Sequence, residues 1–155
     1  ALPVEDREVF NLNKVKSSHL KLRDLYELRL ALEPQMAYYA AIRATDEEIE
    51  HITKSVQRVQ ESCREDDEDE EGNWIFHDAI VQATHNEFNI ALMNLLNTAL
   101  GKLLKENEST DIMYPGTSMD HQMILEYLQS RDPEGSKLAM ELHLKHAMKI
   151  YGIVT

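Results

Sequence analysis

The sequence predicts an all-α protein, folded as a compact antiparallel bundle of six to seven helices. Five glycines and four prolines in 155 residues are too few for the turns of an all-β domain. Apolar residues instead recur three and four positions apart, as on one face of a helix, and helix-capping residues separate the apolar segments. The connections between these segments are mostly short, which favours antiparallel packing of neighbouring helices.

The chain begins with a weakly periodic segment, residues 1–19, which we predict to be a linker or N-terminal arm. A single helical domain is expected to span residues 20–155, which is long enough to bury a substantial core. Its first helix should cover residues 20–44. Pro34 lies inside that helix, where it removes a backbone donor and should cause a kink.

Thr45 and Glu48 form a capping box, because each side chain can bond the backbone amide of the other residue. The second helix should begin there and run to about Arg64. The acidic run at residues 65–71 is interpreted as a solvated connector and not as a metal-binding tract. A third helix is predicted over residues 73–84.

The last three helices are delimited in the same way. The fourth, over residues 87–106, has the densest apolar face and is expected to be the main core helix. A loop over residues 107–118 leads to a short fifth helix at residues 119–130. Asp132 and Pro133 supply the N-cap and the first position of the last helix, which continues nearly to the end of the chain.

The charge and cysteine content exclude several classes of function. A formal net charge of −12 leaves no basic surface for nucleic acid and disfavours docking to anionic lipid. The single cysteine, Cys63, cannot form an internal disulfide, so we expect a cytoplasmic protein. The first residues lack the apolar segment of a signal peptide, and no apolar stretch approaches the roughly 20 residues of a membrane span. The sequence opens on alanine, which suggests a fragment or a processed product.

Three histidines lie on the apolar faces of three different predicted helices. His77, His121 and His143 each fall in helical register with the apolar residues around them. Ring nitrogens that are buried without hydrogen bonds are costly, so three imidazoles in one core need a common partner. A divalent metal ion is the most economical partner, since neutral imidazole is its commonest protein ligand.

Spacing alone leaves the fourth member of the ligand set open. Asn73 precedes His77 by one helical turn, so both side chains can reach one point, as helical metal pairs do. Its amide oxygen is a neutral and poorer ligand than a carboxylate. His146 lies one turn from His143, and spacing does not decide between these two. Hydrogen-bonded core histidines without a metal are the alternative interpretation.

Arg29 and Glu33 also lie on or beside the apolar face of the first helix. Their spacing suits an internal ion pair, or alternatively Arg29 presents its guanidinium group to a carboxylate of a ligand. The sequence contains no GxSxG, Walker A, HExxH or CxxC motif. An enzyme would therefore depend on metal-activated water alone.

Several segments, in order, resemble one known family. Residues 25–34 (Leu-Tyr-Glu-Leu-Arg-Leu-Ala-Leu-Glu-Pro) resemble the opening of the FadR-type C-terminal effector-binding (FCD) domain of GntR-family transcription regulators. Residues 76–86, which contain Phe-His-Asp-Ala-Ile and Ala-Thr-His-Asn, resemble its middle motif. The last two helices are matched by Asp-His-Gln-Met-Ile at 120–124, Arg-Asp-Pro-Glu at 131–134 and Glu-Leu-His-Leu at 141–144. The likeness covers roughly residues 20–150.

The resemblance implies a ligand set. Many members of this family hold a divalent metal ion through an Asp-x-x-x-His pair and two later histidines. Those positions fall on Asn73, His77, His121 and His143, with Asn73 where the family usually has Asp. The resemblance therefore selects His143 over His146, and it implies a Zn, Ni or Mn ion as the cofactor.

The resemblance also implies a function, that of a ligand-sensing and dimerisation domain in a bacterial transcription regulator. The expected partners are a small carboxylate metabolite as effector, with Arg29 as a candidate anchor, and a second copy of the chain. DNA would be bound only through a winged-helix domain that precedes this domain and is absent from the chain. The alternatives are a metal-dependent hydrolytic enzyme that uses the same histidines and a metal-free helical interaction module.

Overall fold

The computed structural model describes residues 21–64, 70–106 and 116–153, and side chains within residues 21–61, 74–98 and 116–153. The described residues form six helices and no strand, which confirms the all-α prediction. The predicted arm at residues 1–19 and most of the predicted loop at 107–118 lie outside them. The helices are α1 (Leu22–Arg43), α2 (Asp46–Arg64), α3 (Glu70–Gln82), α4 (Glu87–Glu106), α5 (Thr117–Gln129) and α6 (Pro133–Ile150).

Capping side chains begin two of the helices where the sequence predicts them. The Glu48 amide donates to Thr45 Oγ1 at 3.2 Å, and the Thr45 amide donates to Glu48 Oε2 at 2.8 Å. This is the reciprocal capping box expected at the start of α2. Asp132 Oδ1 accepts from the Gly135 amide at 2.9 Å, with Pro133 as the first residue of α6. Both caps satisfy amides that have no partner inside their helix.

The boundaries of α3 and α5 differ from the prediction. α3 begins at Glu70, inside the acidic run that was expected to be a connector, since acidic side chains in a first turn are stabilised by the helix dipole. It ends at Gln82, three residues before His85 takes a positive φ of 50°. α5 begins at Thr117, directly after Gly116 at φ 102°, a backbone conformation that glycine adopts without steric cost.

The helices that carry the three histidines pack around α1. α1 packs most extensively on α6, α5 also packs on α6, and α1 touches α3 and α5 as well. Ala37, Ala40 and Ala41 are fully buried in α1, and small side chains permit close helix approach. α4 is not the main core helix within its described side chains, because few of them are fully buried and Phe88 is 89% exposed. Among the described residues, no helix combines the length and apolar character that a membrane span requires.

Candidate metal centre

A buried ion pair on α1, between Arg29 and Glu33, contacts the histidine cluster. Arg29 Nε donates to Glu33 Oε1 at 2.5 Å, and Arg29 Nη2 lies 3.4 Å from Glu33 Oε2. Only 5% of Arg29 and 2% of Glu33 are exposed to solvent, so this is the internal i, i+4 pair that the sequence suggested. Burial alone would raise the pKa of Glu33, but the charge of Arg29 and the contact with His77 outweigh it and hold that pKa well below its usual range.

His77 on α3 connects this pair to the other histidines. Its Nδ1 lies 2.8 Å from Glu33 Oε2, and its Nε2 lies 3.1 Å from Nε2 of His143 on α6. The rings of His77 and His143 are stacked, with centroids 5.1 Å apart and planes inclined by 29°. Both imidazoles are buried, and their Nε2 atoms meet in the interior of the bundle.

His121 on α5 completes the cluster. Within the described residues, neither its Nδ1 nor its Nε2 contacts a donor or an acceptor, although the side chain is fully buried. Its ring stacks on Phe76, with centroids 4.0 Å apart, and lies 4.8 Å from the ring of His143. Buried polar atoms normally have hydrogen bonds, so a buried imidazole that makes none to the described residues requires an explanation.

Asp120 and His146 lie beside the cluster. The Asp120 carboxylate is buried at 6% exposure, with Oδ2 at 3.6 Å from Nδ1 of His143 and 2.9 Å from Nδ1 of His146. His146 is more exposed, at 45% of its side chain. His143 therefore faces His77, and His146 occupies the solvent side of Asp120.

Burial keeps His121 and His143 neutral. Burial lowers the pKa of His143 to about 4, and the Asp120 carboxylate only partly opposes this effect. Burial, followed by the neighbouring rings of His143 and His77, holds the pKa of His121 well below its usual range. Neutral imidazole is the form that ligates metal ions, so both groups are in the ligating state at neutral pH.

The geometry of the three histidines fits a metal ion. One nitrogen from each of His77, His121 and His143 can be chosen so that all three lie within 4.8 Å of one another. Two nitrogen ligands at about 2.0–2.1 Å from a tetrahedral zinc ion are roughly 3.3 Å apart, close to the 3.1 Å between Nε2 of His77 and Nε2 of His143. A metal ion would also give the unpartnered His121 a ligand bond.

Asn73 lies in α3 one turn before His77, and its side chain is outside the described residues. Two features of the cluster were missed from sequence. Asp120 is the buried acid beside His143, and its place directly before His121 was the only available signal. Phe76 stacks on His121, and nothing local in the sequence indicates that contact.

Comparison with known proteins identifies the family. Residues 24–146 match the family model described as the FCD domain. The chain belongs to the FCD domain family. The resemblance found in the sequence is therefore confirmed, and the relatives of this FCD domain are GntR-family regulators and not enzymes.

Two relatives and one solved structure illustrate the similarity. The FCD domain is 28% identical over 130 residues to the Uxu operon transcriptional regulator of Escherichia coli K12, covering 79% of this chain and 51% of that protein. It is 28% identical over 127 residues to a putative L-lactate dehydrogenase operon regulatory protein of the same organism, covering 78% and 48%. The chain thus spans about half the length of these curated relatives.

Streptococcus agalactiae GntR has a similar structure, with a TM-score of 0.69 over 87% of this chain and 63% of that one. The sequence identity is 22%, so this likeness shows the fold alone.

Proposed function

We propose that this FCD domain is the effector-binding and dimerisation domain of a bacterial GntR-type transcription regulator. Its effector would be a small organic acid, bound at a divalent metal ion in the helical core. DNA would be contacted through a winged-helix domain that these 155 residues do not include. The observation that carries the proposal is the cluster of His77, His121 and His143, in which the fully buried His121 imidazole has no hydrogen-bond partner among the described residues.

The ligand set we propose consists of the three histidines together with Asn73, and the ion is Zn, Ni or Mn. Imidazole nitrogens suit these borderline metals. An amide in place of the family's usual carboxylate makes the set neutral, because histidine ligates metal ions as neutral imidazole. A neutral set leaves the full charge of a divalent ion available to a further, anionic ligand.

The charges around the cluster favour an anion. Arg29 and Glu33 neutralise each other, and a divalent ion would more than offset the single negative charge of Asp120. A hydroxy acid or sugar acid suits such a site, since its carboxylate and neighbouring hydroxyl can chelate one ion. The relative named for an L-lactate dehydrogenase operon supports this class, because lactate is a hydroxy acid.

Arg29 remains our proposed second anchor for the carboxylate. Its Nε and Nη2 atoms face Glu33, and its charge contributes to the lowered pKa values of His121 and His143. The guanidinium group is therefore close enough to the cluster for its charge to act there. The role requires that the ligand approach Arg29 without displacing Glu33.

Metal content and ligand-dependent melting test this proposal. The protein purified without chelator should hold close to one metal ion per chain, and His121→Ala combined with His143→Ala should remove it. In a thermal-shift screen of organic acids, sugars, amines and nucleotides, hydroxy acids should raise the melting temperature of the metal-loaded protein only. At about 100 times Kd the expected gain is roughly 2.7 kcal/mol.

Three outcomes would each overturn a part of the proposal. A protein that holds no metal after reconstitution with Zn, Ni and Mn salts has no metal centre. Stabilisation by neutral or cationic compounds alone would reject a carboxylate effector. An equal response of Arg29→Ala and the wild type to the stabilising acid would remove Arg29 from the ligand site.

A further inference from the structure

The three histidines differ in what contacts the nitrogen that points away from the cluster. Nδ1 of His77 lies 2.8 Å from the Glu33 carboxylate, and Nδ1 of His143 lies 3.6 Å from the Asp120 carboxylate. His121 has no such neighbour among the described residues and is instead stacked on Phe76. Two buried carboxylates thus each face one of the two histidines whose Nε2 atoms meet.

A carboxylate beside a ring nitrogen selects the tautomer of a neutral imidazole. An ionised carboxylate only accepts hydrogen bonds, so the nitrogen that faces it must carry the proton. The neutral form of His77 is then protonated on Nδ1, and its Nε2 has a lone pair on the side of His143 Nε2, 3.1 Å away. The nitrogen that a metal ion needs is thereby kept unprotonated.

The orientation of Glu33 is itself fixed by Arg29. Oε1 accepts from Arg29 Nε at 2.5 Å, whereas Oε2 is the oxygen that contacts His77. Both residues extend from adjacent turns of α1, and both are almost fully buried. The ion pair therefore holds one carboxylate oxygen in place for His77.

We propose that Glu33 is a positioning residue for the metal centre: held by Arg29, it fixes His77 as the Nδ1–H tautomer with Nε2 presented to the cluster. This proposal rests on the metal-binding function proposed above, but the tautomer of His77 exists without metal and is measured separately from it.

Glu33→Gln provides the sharpest test. The amide oxygen of the glutamine must face Arg29 Nε, because two donors cannot share that contact. Its NH2 group then faces Nδ1 of His77, which becomes an acceptor, and the ring proton moves to Nε2. Zn²⁺ affinity, measured by competition with a chromophoric chelator, should fall about 10- to 100-fold.

The tautomers are read by long-range ¹H–¹⁵N NMR of metal-free protein labelled at histidine, at a mildly alkaline pH. His77 in the wild type should show the Nδ1–H pattern, and Glu33→Gln should convert it to the Nε2–H pattern. Glu48→Gln is the matched control, since Glu48 Oε2 also contacts a histidine, His85, at 2.9 Å on the surface. It should leave the His77 pattern and the Zn²⁺ affinity unchanged.

The outcomes separate this proposal from the metal centre itself. A wild-type His77 with the Nε2–H pattern, or a folded Glu33→Gln variant that keeps both the Nδ1–H pattern and the wild-type affinity, overturns the positioning role. If Glu33→Gln does not fold, the His77 pattern of the wild type decides the positioning role by itself. A wild type that shows the Nδ1–H pattern on His77 but binds no Zn²⁺ supports the positioning role and rejects the metal centre.

Discussion

Replacing His121 with leucine should stabilise the metal-free protein or leave its stability unchanged. His121 is fully buried and its two ring nitrogens have no partner among the described residues. An unsatisfied buried polar group costs about 1–3 kcal/mol, and leucine removes that cost. Two effects destabilise the leucine variant. Losing the stacking on Phe76 costs about 0.5–1.5 kcal/mol, and repacking a side chain of similar volume costs less than about 1.5 kcal/mol.

With a metal ion bound, the wild type should be more stable than the His121→Leu variant. At about 100 times Kd a metal ion adds roughly 2.7 kcal/mol to the wild type, whereas His121→Leu lacks one of the three histidine ligands and should gain little. For a domain of this size, 1 kcal/mol moves the melting temperature by about 2–4 °C. With excess chelator the variant should therefore melt at or above the wild type, and with Zn²⁺ it should melt several degrees below.

The matched control is His51→Leu, the same chemical change at an exposed position of α2. That variant should respond to Zn²⁺ as the wild type does. The reasoning fails if His121→Leu loses more than about 2 kcal/mol in chelator, because the imidazole would then have a stabilising partner in the metal-free state. An equal Zn²⁺ response of His121→Leu and the wild type would exclude His121 as a ligand.

Three further predictions follow from the same cluster. Asn73→Asp should tighten Zn²⁺ binding in a chelator competition, because a charged oxygen replaces a neutral one; unchanged or weaker binding would place Asn73 outside the ligand set. The pKa of His143 is about 4 in the folded protein and about 6.5 in the unfolded chain, so the unfolded chain takes up a proton first as the pH falls. The unfolding free energy in urea should drop by about 3 kcal/mol between about pH 6.5 and pH 4, and His143→Leu should make this decline shallower. Arg29→Met should cost about 3–5 kcal/mol, because the buried Glu33 carboxylate keeps the His77 contact but loses its cationic partner. Adding Glu33→Leu should recover part of that loss; a single variant as stable as the wild type would contradict the buried pair.

The fold could be predicted because its signals are local. Thr45 with Glu48 and Asp132 with Pro133 form caps within four residues of chain, and the structure shows both. The start of α3 was missed because a run of acidic residues is compatible with either a solvated connector or a helix N-terminus. The exposed Phe88 on α4 shows the limit of periodicity, since an apolar face does not reveal whether another helix covers it.

The histidine cluster was predictable only in part. Helical register places the histidines on inward faces, but it does not show that His77 and His143, separated by 66 positions in the chain, meet at 3.1 Å. The contact between Glu33 and His77 spans 44 positions and depends on how α1 packs against α3. Asp120 could not be predicted to be buried, because an acid in the first turn of a helix is ordinarily solvated.

The histidine cluster stabilises the helical core less than apolar side chains would, and this bears on its proposed role. Apolar side chains of similar volume are often at least as stabilising as a buried ion pair, and His121 makes no hydrogen bond to the residues that the structure describes. Ligand binding at this point would satisfy groups on α3, α5 and α6 together, and would act on α1 through Glu33. An effector could therefore change the relative stability of alternative packings of these four helices. Such a site suits a sensor domain, because a bound ligand would give the buried polar groups partners and would connect several helices.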